Sequence, residues 1–199
     1  MTRAFEHAEM VQKRLLQERL NYVFSDQKLL LLALTHRSYG SQNNERLEFL
    51  GDAVLGSIIA HYLYRHCPQL REGEMSRMRA QIVRAESLAG VARRLDLGRC
   101  LLLGPGEMKA GGVKRDSILG DTVEAIIGAV YIDSGLDSAS DCVLRWFEKE
   151  LIRVSHECPS KDSKTQLQEW LQKRGQPLPL SLIHISEPTR QEAISYAVI

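Results

Sequence analysis

An apolar helix with three acidic residues on one side constrains the fold of this chain more than any other feature. The stretch 43–56 predicts the start of a helix, with Asn44 as its N-cap residue, since Asn is favoured at that position. At about 100° per residue, Glu45, Glu48 and Asp52 fall within an arc of about 60°. The helix continues with apolar residues on every side for several turns, which is typical of a buried helix.

Three carboxylates on a buried helix need a compensating positive charge. Burial and mutual repulsion both raise carboxylate pKa values, and buried acids without a partner destabilise a fold. Helix N-termini favour acids, which accounts for Glu45 and in part for Glu48, but not for Asp52 two turns into the helix. A hard divalent cation, which prefers carboxylate oxygens, accounts for all three residues.

A second apolar helix, predicted over 117–133, carries two further acids. Asp121 and Glu124 are three residues apart and share a face, and Gly128 and Ala129 are small enough for another helix to approach closely. Two such helices that face each other would pool four or five carboxylates. Pooled carboxylates in a soluble protein indicate Mg²⁺-assisted hydrolysis, most often of phosphate esters.

Charge and apolar patterning bear on partners and location. The net charge of the whole chain is +1, but the segment 71–115 has ten Lys or Arg against five Asp or Glu, a net charge of +5. No apolar run is long enough to span a membrane, and the first twenty residues do not read as a signal peptide. We therefore expect a cytoplasmic protein with no membrane partner. The four cysteines lack zinc-site spacing and are interpreted as free thiols.

The rest of the first 157 residues also reads as helix. No strand pattern precedes residue 155, so the predicted fold class is all-α, with Gly135 at the end of the second acidic helix. The segment Thr35–Ser38, with the sequence Thr-His-Arg-Ser, follows an earlier predicted helix. His36 in this segment could act as a general base, but an isolated histidine at a helix end is more often a structural hydrogen-bonding group.

A nine-residue block resembles the signature of a known family. The block is Asn44-Glu45-Arg46-Leu47-Glu48-Phe49-Leu50-Gly51-Asp52, and it resembles the signature of ribonuclease III, a family of double-stranded-RNA endonucleases. Gly120–Ala125 resembles the second acidic block of the family, and 71–79 resembles part of the segment between the blocks. The resemblance fits the bacterial form with one catalytic domain. It implies an all-α, homodimeric endonuclease domain over 1–157, followed by the start of an incomplete α+β double-stranded-RNA-binding domain.

The resemblance also implies which residues act. The implied metal ligands are Glu48, Asp121 and Glu124. Asp52 and Glu124 are the implied catalytic residues, while Glu45 and Glu72 support the site or contact the substrate. The implied cofactor is Mg²⁺, for which Mn²⁺ can substitute. The implied partner is double-stranded RNA, including ribosomal precursors, cut by a homodimer into products with 5′-phosphate and 3′-hydroxyl ends.

The resemblance reaches into the RNA-binding domain and then stops. We expect a linker at 158–163, and 164–180 resembles the first helix of that domain, which lies in the RNA minor groove. The implied RNA contacts on this helix are Thr165, Gln168 and Glu169. A solvated polar face explains these three residues equally well. Residues 181–199 resemble a translated sequencing adapter, and we expect them to be a non-native tail.

Two other classes of function fit part of the pattern. A binding-only protein on the same all-α scaffold would explain the basic segment, but it has no need for five carboxylates on buried helices. A Mg²⁺-dependent phosphohydrolase of small phosphates would explain the carboxylates, but not the basic segment or the RNA-binding helix. Substitution of Glu124 separates the classes, since only a nuclease would lose cleavage of a duplex and still bind it.

Overall fold

The described part of the chain is built from helices alone. The structure is a computed structural model that describes residues 11, 12 and 14–157, without the side chains of 155–157. Its helices are α1 (14–20), α2 (Gln27–Ala33), α3 (Glu45–His66), α4 (Glu72–Ile82), α5 (Ala85–Arg94), α6 (Pro105–Lys109), α7 (Asp116–Trp146) and α8 (Glu148–Glu157). The described residues also form two 3₁₀ turns, Leu97–Arg99 and Gly112–Lys114. The all-α prediction is therefore confirmed.

Helix α7 is the central element, and α2, α3 and α5 all pack against it. Its first half is almost completely buried, with Ile126 and Val130 fully enclosed. Helical geometry is interrupted at Gly135, where φ is +81° and ψ is −174°. A side chain is strained at this φ, so glycine suits the position. The prediction that the second acidic helix ends near Gly135 agrees with this interruption.

Two glycines bring α3 and α7 into backbone contact. A Cβ atom placed on Gly51 would lie 1.8 Å from the backbone oxygen of Glu124, and one placed on Gly128 would lie 2.3 Å from the backbone oxygen of Leu47. Neither position has room for a methyl group. The close approach predicted from Gly128 is confirmed, whereas the matching role of Gly51 was not recognised from the sequence.

One face of α3 is not covered by the described part of the chain. The expectation that this helix is buried on every side is wrong, because the side chains of Phe49 and Tyr64 are 82% and 70% exposed. Ala53 and Ser57 lie between them on the same side of the helix and are also exposed. We call Phe49, Ala53, Ser57 and Tyr64 the open α3 face.

The start of α3 is held differently from the prediction. The side chain of Asn44 makes no capping hydrogen bond; it is buried, and its Nδ2 donates to the backbone oxygen of Ala33 at 3.3 Å. Asn43 acts in its place, because its Oδ1 accepts from the backbone N–H of Glu45 at 3.1 Å. Asn44 therefore ties the start of α3 to the end of α2 instead of capping the helix.

Three further expectations concern cysteines, membranes and domain boundaries. Cys100 and Cys142 are free thiols, but Cys67 is disulfide-bonded, so the expectation of free thiols is wrong for Cys67. None of the described helices has the length and apolar character needed to cross a bilayer. The linker, the RNA-binding helix and the tail expected over 158–199 lie outside the described residues, and their boundaries stay predictions.

Candidate metal-binding and active site

Carboxylates from two helices meet where α3 and α7 cross. Glu48 of α3 and Asp121 and Glu124 of α7 each offer one carboxylate oxygen, and these three oxygens lie within 4.8 Å of one another. The backbone contact at Gly51 and Gly128 produces this arrangement, because it removes the layer of side chains that normally separates two packed helices. We call Glu48, Asp121 and Glu124 the acid cluster.

The acid cluster carries more negative charge than its surroundings compensate. Burial raises the pKa of Glu124 from its ordinary value of 4.5 to about 8, with further contributions from the charges of Asp52, Asp121 and Glu48. Burial and then the charge of Asp121 raise the pKa of Glu48. Burial also raises the pKa of Asp121, against the opposing effects of the nearby His36 and Arg37. A bound cation would reverse these shifts.

The pKa of Glu124 predicts how stability changes with pH when no metal is bound. Because its folded-state pKa of about 8 exceeds its ordinary value of 4.5, the folded state holds a proton that the unfolded state releases. The free energy of unfolding should therefore fall as pH rises from about 4.5 to about 8. Thermal melting in EDTA at pH 5, 6, 7 and 8 measures this trend.

A metal and a substitution supply the controls for that trend. Mg²⁺ should raise the melting temperature more at pH 8 than at pH 5, since a cation binds the ionised carboxylates of the folded state. Glu124→Gln should flatten the fall seen in EDTA. If the melting temperature falls equally steeply with pH in wild type and in Glu124→Gln, Glu124 does not have the assigned pKa.

Asp52 and Glu45 lie beside the acid cluster. Asp52 is exposed, and its charge is the largest single-residue contribution to the raised pKa of Glu124, so the two carboxylates are close. Glu45 is 3.5 Å from the guanidinium of Arg37 and contributes to the raised pKa of Glu48. Glu45 and Asp52 therefore both act electrostatically on carboxylates of the acid cluster.

Glu72 occupies a different place. It begins α4 and accepts a hydrogen bond from the hydroxyl of Ser76 at 2.8 Å. It lines a hollow of about 210 Å³ together with Leu63 of α3 and Arg79 of α4. It is not a member of the acid cluster. The substrate-contacting residues expected at Thr165, Gln168 and Glu169 lie outside the described residues.

A cleft of about 430 Å³ opens beside the acid cluster. Its lining residues are His36, Arg37, Ser38, Asn44, Glu45, Glu48, Glu107, Arg115, Ser117, Ile118 and Asp121. Glu107 and Arg115 were not predicted from the sequence. The chain reverses at Gly111, where φ is +78°, and this reversal brings Arg115 Nη1 to 2.8 Å from Glu107 Oε1. The Gly-Gly pair at 111–112 indicated a loop, but nothing in the spacing indicated this ion pair.

The donor set of the acid cluster fits a hard divalent cation. Ligand oxygens around one Mg²⁺ ion lie within about 4.2 Å of one another, since each metal–oxygen distance is about 2.1 Å. Small rotations about side-chain bonds would bring the three oxygens from 4.8 Å to that separation. An all-helical fold that pools carboxylates in this way, with Arg37 and Arg115 lining the adjacent cleft, defines a class of metal-dependent phosphodiester hydrolases.

Comparison with known proteins identifies the family within that class. The ribonuclease-III-like family matches residues 26–151. Over 164 residues the chain is 54% identical to Ribonuclease 3 of Proteus mirabilis (strain HI4320), an alignment that covers 82% of this chain and 73% of that relative. The chain belongs to the ribonuclease III family and is an endoribonuclease. The family depends on a divalent metal, and the acid cluster offers the ligands for it.

Solved structures support the same assignment. The nuclease domain of ribonuclease III from Campylobacter jejuni is 44% identical and superposes with a TM-score of 0.67, covering 68% of this chain and 96% of that one. That structure is described as showing flexibility in a region involved in dimer formation. Dicer from Pichia stipitis is 25% identical and superposes with a TM-score of 0.54, over 74% of this chain and 68% of that one.

Proposed function

We propose that the protein is a Mg²⁺-dependent endonuclease that hydrolyses phosphodiester bonds in double-stranded RNA. The observation that carries the proposal is the acid cluster, three carboxylate oxygens within 4.8 Å of one another on two helices in backbone contact. The products have 5′-phosphate and 3′-hydroxyl ends. Mn²⁺ substitutes for Mg²⁺, and the substrates include precursors of ribosomal RNA in the cytoplasm.

The residues of the site have separate tasks. Glu48, Asp121 and Glu124 hold the cation. When bound, Mg²⁺ offsets charge on the phosphate oxygens and makes a water molecule more acidic. Asp52 is exposed beside Glu124, where its carboxylate can orient the attacking water and accept a hydrogen bond from it. Glu45 and Glu72 contact RNA or orient neighbouring groups.

The open α3 face supports a homodimer. A large aromatic side chain stands at each end of this face, and the residues between them are small, so a second copy of the helix could approach closely. A symmetric pair of subunits uses the same face twice. Two sites placed in this way would cut one RNA strand each, which would give products with the short 3′ overhang that the resemblance to the family implies.

Charge at the Phe49 end of the open α3 face should separate the subunits. Phe49→Glu would place a carboxylate against the partner's equivalent surface, so we expect the protein to elute as a monomer at micromolar concentration. Size-exclusion chromatography with light scattering measures the mass. Val23→Glu is the matched control, since Val23 is 77% exposed outside this face. A Phe49→Glu protein that stays dimeric would place the interface elsewhere.

A nuclease assay tests the proposed function directly. A long RNA duplex is incubated at low salt with Mg²⁺ or with EDTA, and the product ends are mapped. Staggered cleavage that requires Mg²⁺ supports both the metal site and the paired arrangement of sites. Binding of the duplex without cleavage would favour a binding-only protein. Cleavage of small phosphate esters in place of the duplex would favour a phosphohydrolase.

A further inference from the structure

His36, Arg37 and Ser38 form one wall of the cleft, although the sequence favoured a structural role over a chemical one for His36. Two backbone hydrogen bonds attach it to the chain near Leu102: His36 N–H donates to Leu102 O at 3.0 Å, and Leu102 N–H donates to Leu34 O at 2.9 Å. A Cβ atom on Gly104 would lie 2.2 Å from the backbone oxygen of Ser38. The wall is therefore held by backbone contacts on both sides and is rigid.

The hydrogen bonds of Ser38 determine how the ring of His36 is used. The backbone N–H of Ser38 donates to Nδ1 of His36 at 3.2 Å, so Nδ1 carries a lone pair and no proton. The hydroxyl of Ser38 is 2.8 Å from the same nitrogen and itself accepts from the backbone N–H of Gly104 at 2.9 Å. This network assigns the proton of the neutral ring to Nε2. No described residue accepts a hydrogen bond from Nε2–H.

Arg37 adds a positive charge to the same wall. Its side chain is 70% exposed, and its guanidinium is 3.5 Å from Glu45 Oε1, at the long end of the ion-pair range. Exposed ion pairs of this kind contribute little to stability, so the guanidinium can exchange Glu45 for a stronger anionic partner. The carboxylates of Glu48 and Asp121 line the same cleft.

An RNA strand at this site brings more than one phosphate into the cleft. A cation in the acid cluster compensates the phosphate that is hydrolysed. The next phosphate along the strand would face the carboxylate of Glu45, which holds no cation, and like charges repel strongly in a partly buried site. The wall of His36 and Arg37 offers one N–H donor and one planar guanidinium, which are groups that bind phosphate oxygens well.

We propose that His36, through Nε2–H, and Arg37, through its guanidinium, bind the RNA phosphate adjacent to the one that is hydrolysed. Ser38 and Gly104 are positioning residues, because they fix the ring of His36 and the wall that carries it. This inference rests on the proposed function. It differs from that function in assigning a second phosphate-binding site made of protein groups alone.

Steady-state kinetics on a defined RNA hairpin give the first test. His36→Ala should raise KM about tenfold, since a hydrogen bond to a charged group is lost, and should change kcat less than about twofold. The Mg²⁺ concentration for half-maximal rate should not change. His66→Ala is the matched control, because His66 is an exposed histidine whose Nδ1 contacts the oxygen of Tyr62 in its own helix at 2.9 Å.

Two further variants guard against a folding effect. His36→Gln retains a side-chain N–H donor and should recover part of the loss in KM. Arg37→Ala changes an exposed side chain. It should reduce the magnitude of the slope of log binding constant against log salt concentration by about 0.9, since one positive charge no longer contacts a phosphate. Arg14→Ala removes an exposed arginine that pairs with Glu18 at 3.2 Å outside the cleft, and should leave the slope unchanged.

Replacing single RNA phosphates with uncharged analogues shows which phosphate His36 and Arg37 contact. A methylphosphonate is placed at each position next to the cleaved bond, and wild type should lose about tenfold in kcat/KM at one of them. The double variant His36→Ala with Arg37→Ala should lose nothing further at that position. Equal losses in wild type and double variant at every position would overturn the proposal. If wild type cleaves RNA but shows these equal losses, only the second phosphate-binding site is contradicted and the proposed function stands. If wild type shows no metal-dependent cleavage, the proposed function itself is contradicted.

Discussion

Glu124→Gln should lower kcat for cleavage of a long RNA duplex about a thousandfold and leave duplex affinity within about threefold. Stabilisation of a phosphoryl transition state by a metal is worth several kcal/mol, and about 4 kcal/mol corresponds to a factor of about a thousand. Gln keeps the size of Glu but cannot carry the negative charge that holds the cation. The measurement is single-turnover cleavage with saturating protein, together with a gel-shift titration in Ca²⁺.

The control for Glu124 is an acid of the same type away from the site. Glu148 begins α8 and is exposed, so Glu148→Gln should leave both cleavage and binding unchanged. Cleavage by Glu124→Gln within about tenfold of wild type would remove Glu124 from the metal site. Loss of cleavage and of binding together, with a lower melting temperature, would show that the residue is structural.

Gly51→Ala should damage both the fold and the catalytic activity. The added methyl group would lie 1.8 Å from the backbone oxygen of Glu124, and backbone cannot rotate away as a side chain can. Overpacking of a core costs about 1–3 kcal/mol, and this contact belongs at the upper end of that range. If the helices separate to relieve it, Glu48 moves away from Asp121 and Glu124. A displacement of about 1 Å at a catalytic site costs about a hundredfold in rate.

Denaturant unfolding and single-turnover cleavage measure the two effects of Gly51→Ala. Gly90→Ala is the matched control, because Gly90 is also inside a helix and a Cβ there would meet only Arg94 Nη1 at 3.7 Å. That control should be neutral or stabilising by up to about 1 kcal/mol, the difference in helix propensity. Gly51→Ala with wild-type stability and activity would show that α3 and α7 can separate freely.

The acids of the site could be predicted from the sequence because their signal is local. Glu45, Glu48 and Asp52 share one side of α3 by helical spacing, and Asp121 and Glu124 do the same on α7. Burying these acids separately is costly, so the sequence also indicated that the two helices meet. The small residue Gly128 indicated where on α7 the other helix approaches. These inferences need only the helical period and the energetics of charge burial.

Features that depend on contacts between distant parts of the chain could not be predicted. The clash that requires glycine at position 51 is with Glu124, more than seventy residues away, and no local pattern records it. Ser38 acquires its task from Gly104, and Asn44 from Ala33, so neither could be read from helix preferences. The open α3 face lies in a stretch that is mostly apolar, and composition alone does not distinguish a helix face that packs in the core from one that the described residues leave uncovered.

The interruption at Gly135 divides α7 into two parts with different tasks. The first part carries Asp121 and Glu124, whereas the second ends at Trp146, whose Nε1–H donates to the oxygen of Leu20 at 3.0 Å. A Cβ at Gly135 would meet nothing within 4 Å, so the junction is spacious. A short peptide tag inserted after Gly135 would leave each part with its own hydrogen-bond ladder. A fluorophore on such a tag could then report the arrival of labelled RNA by energy transfer in real time.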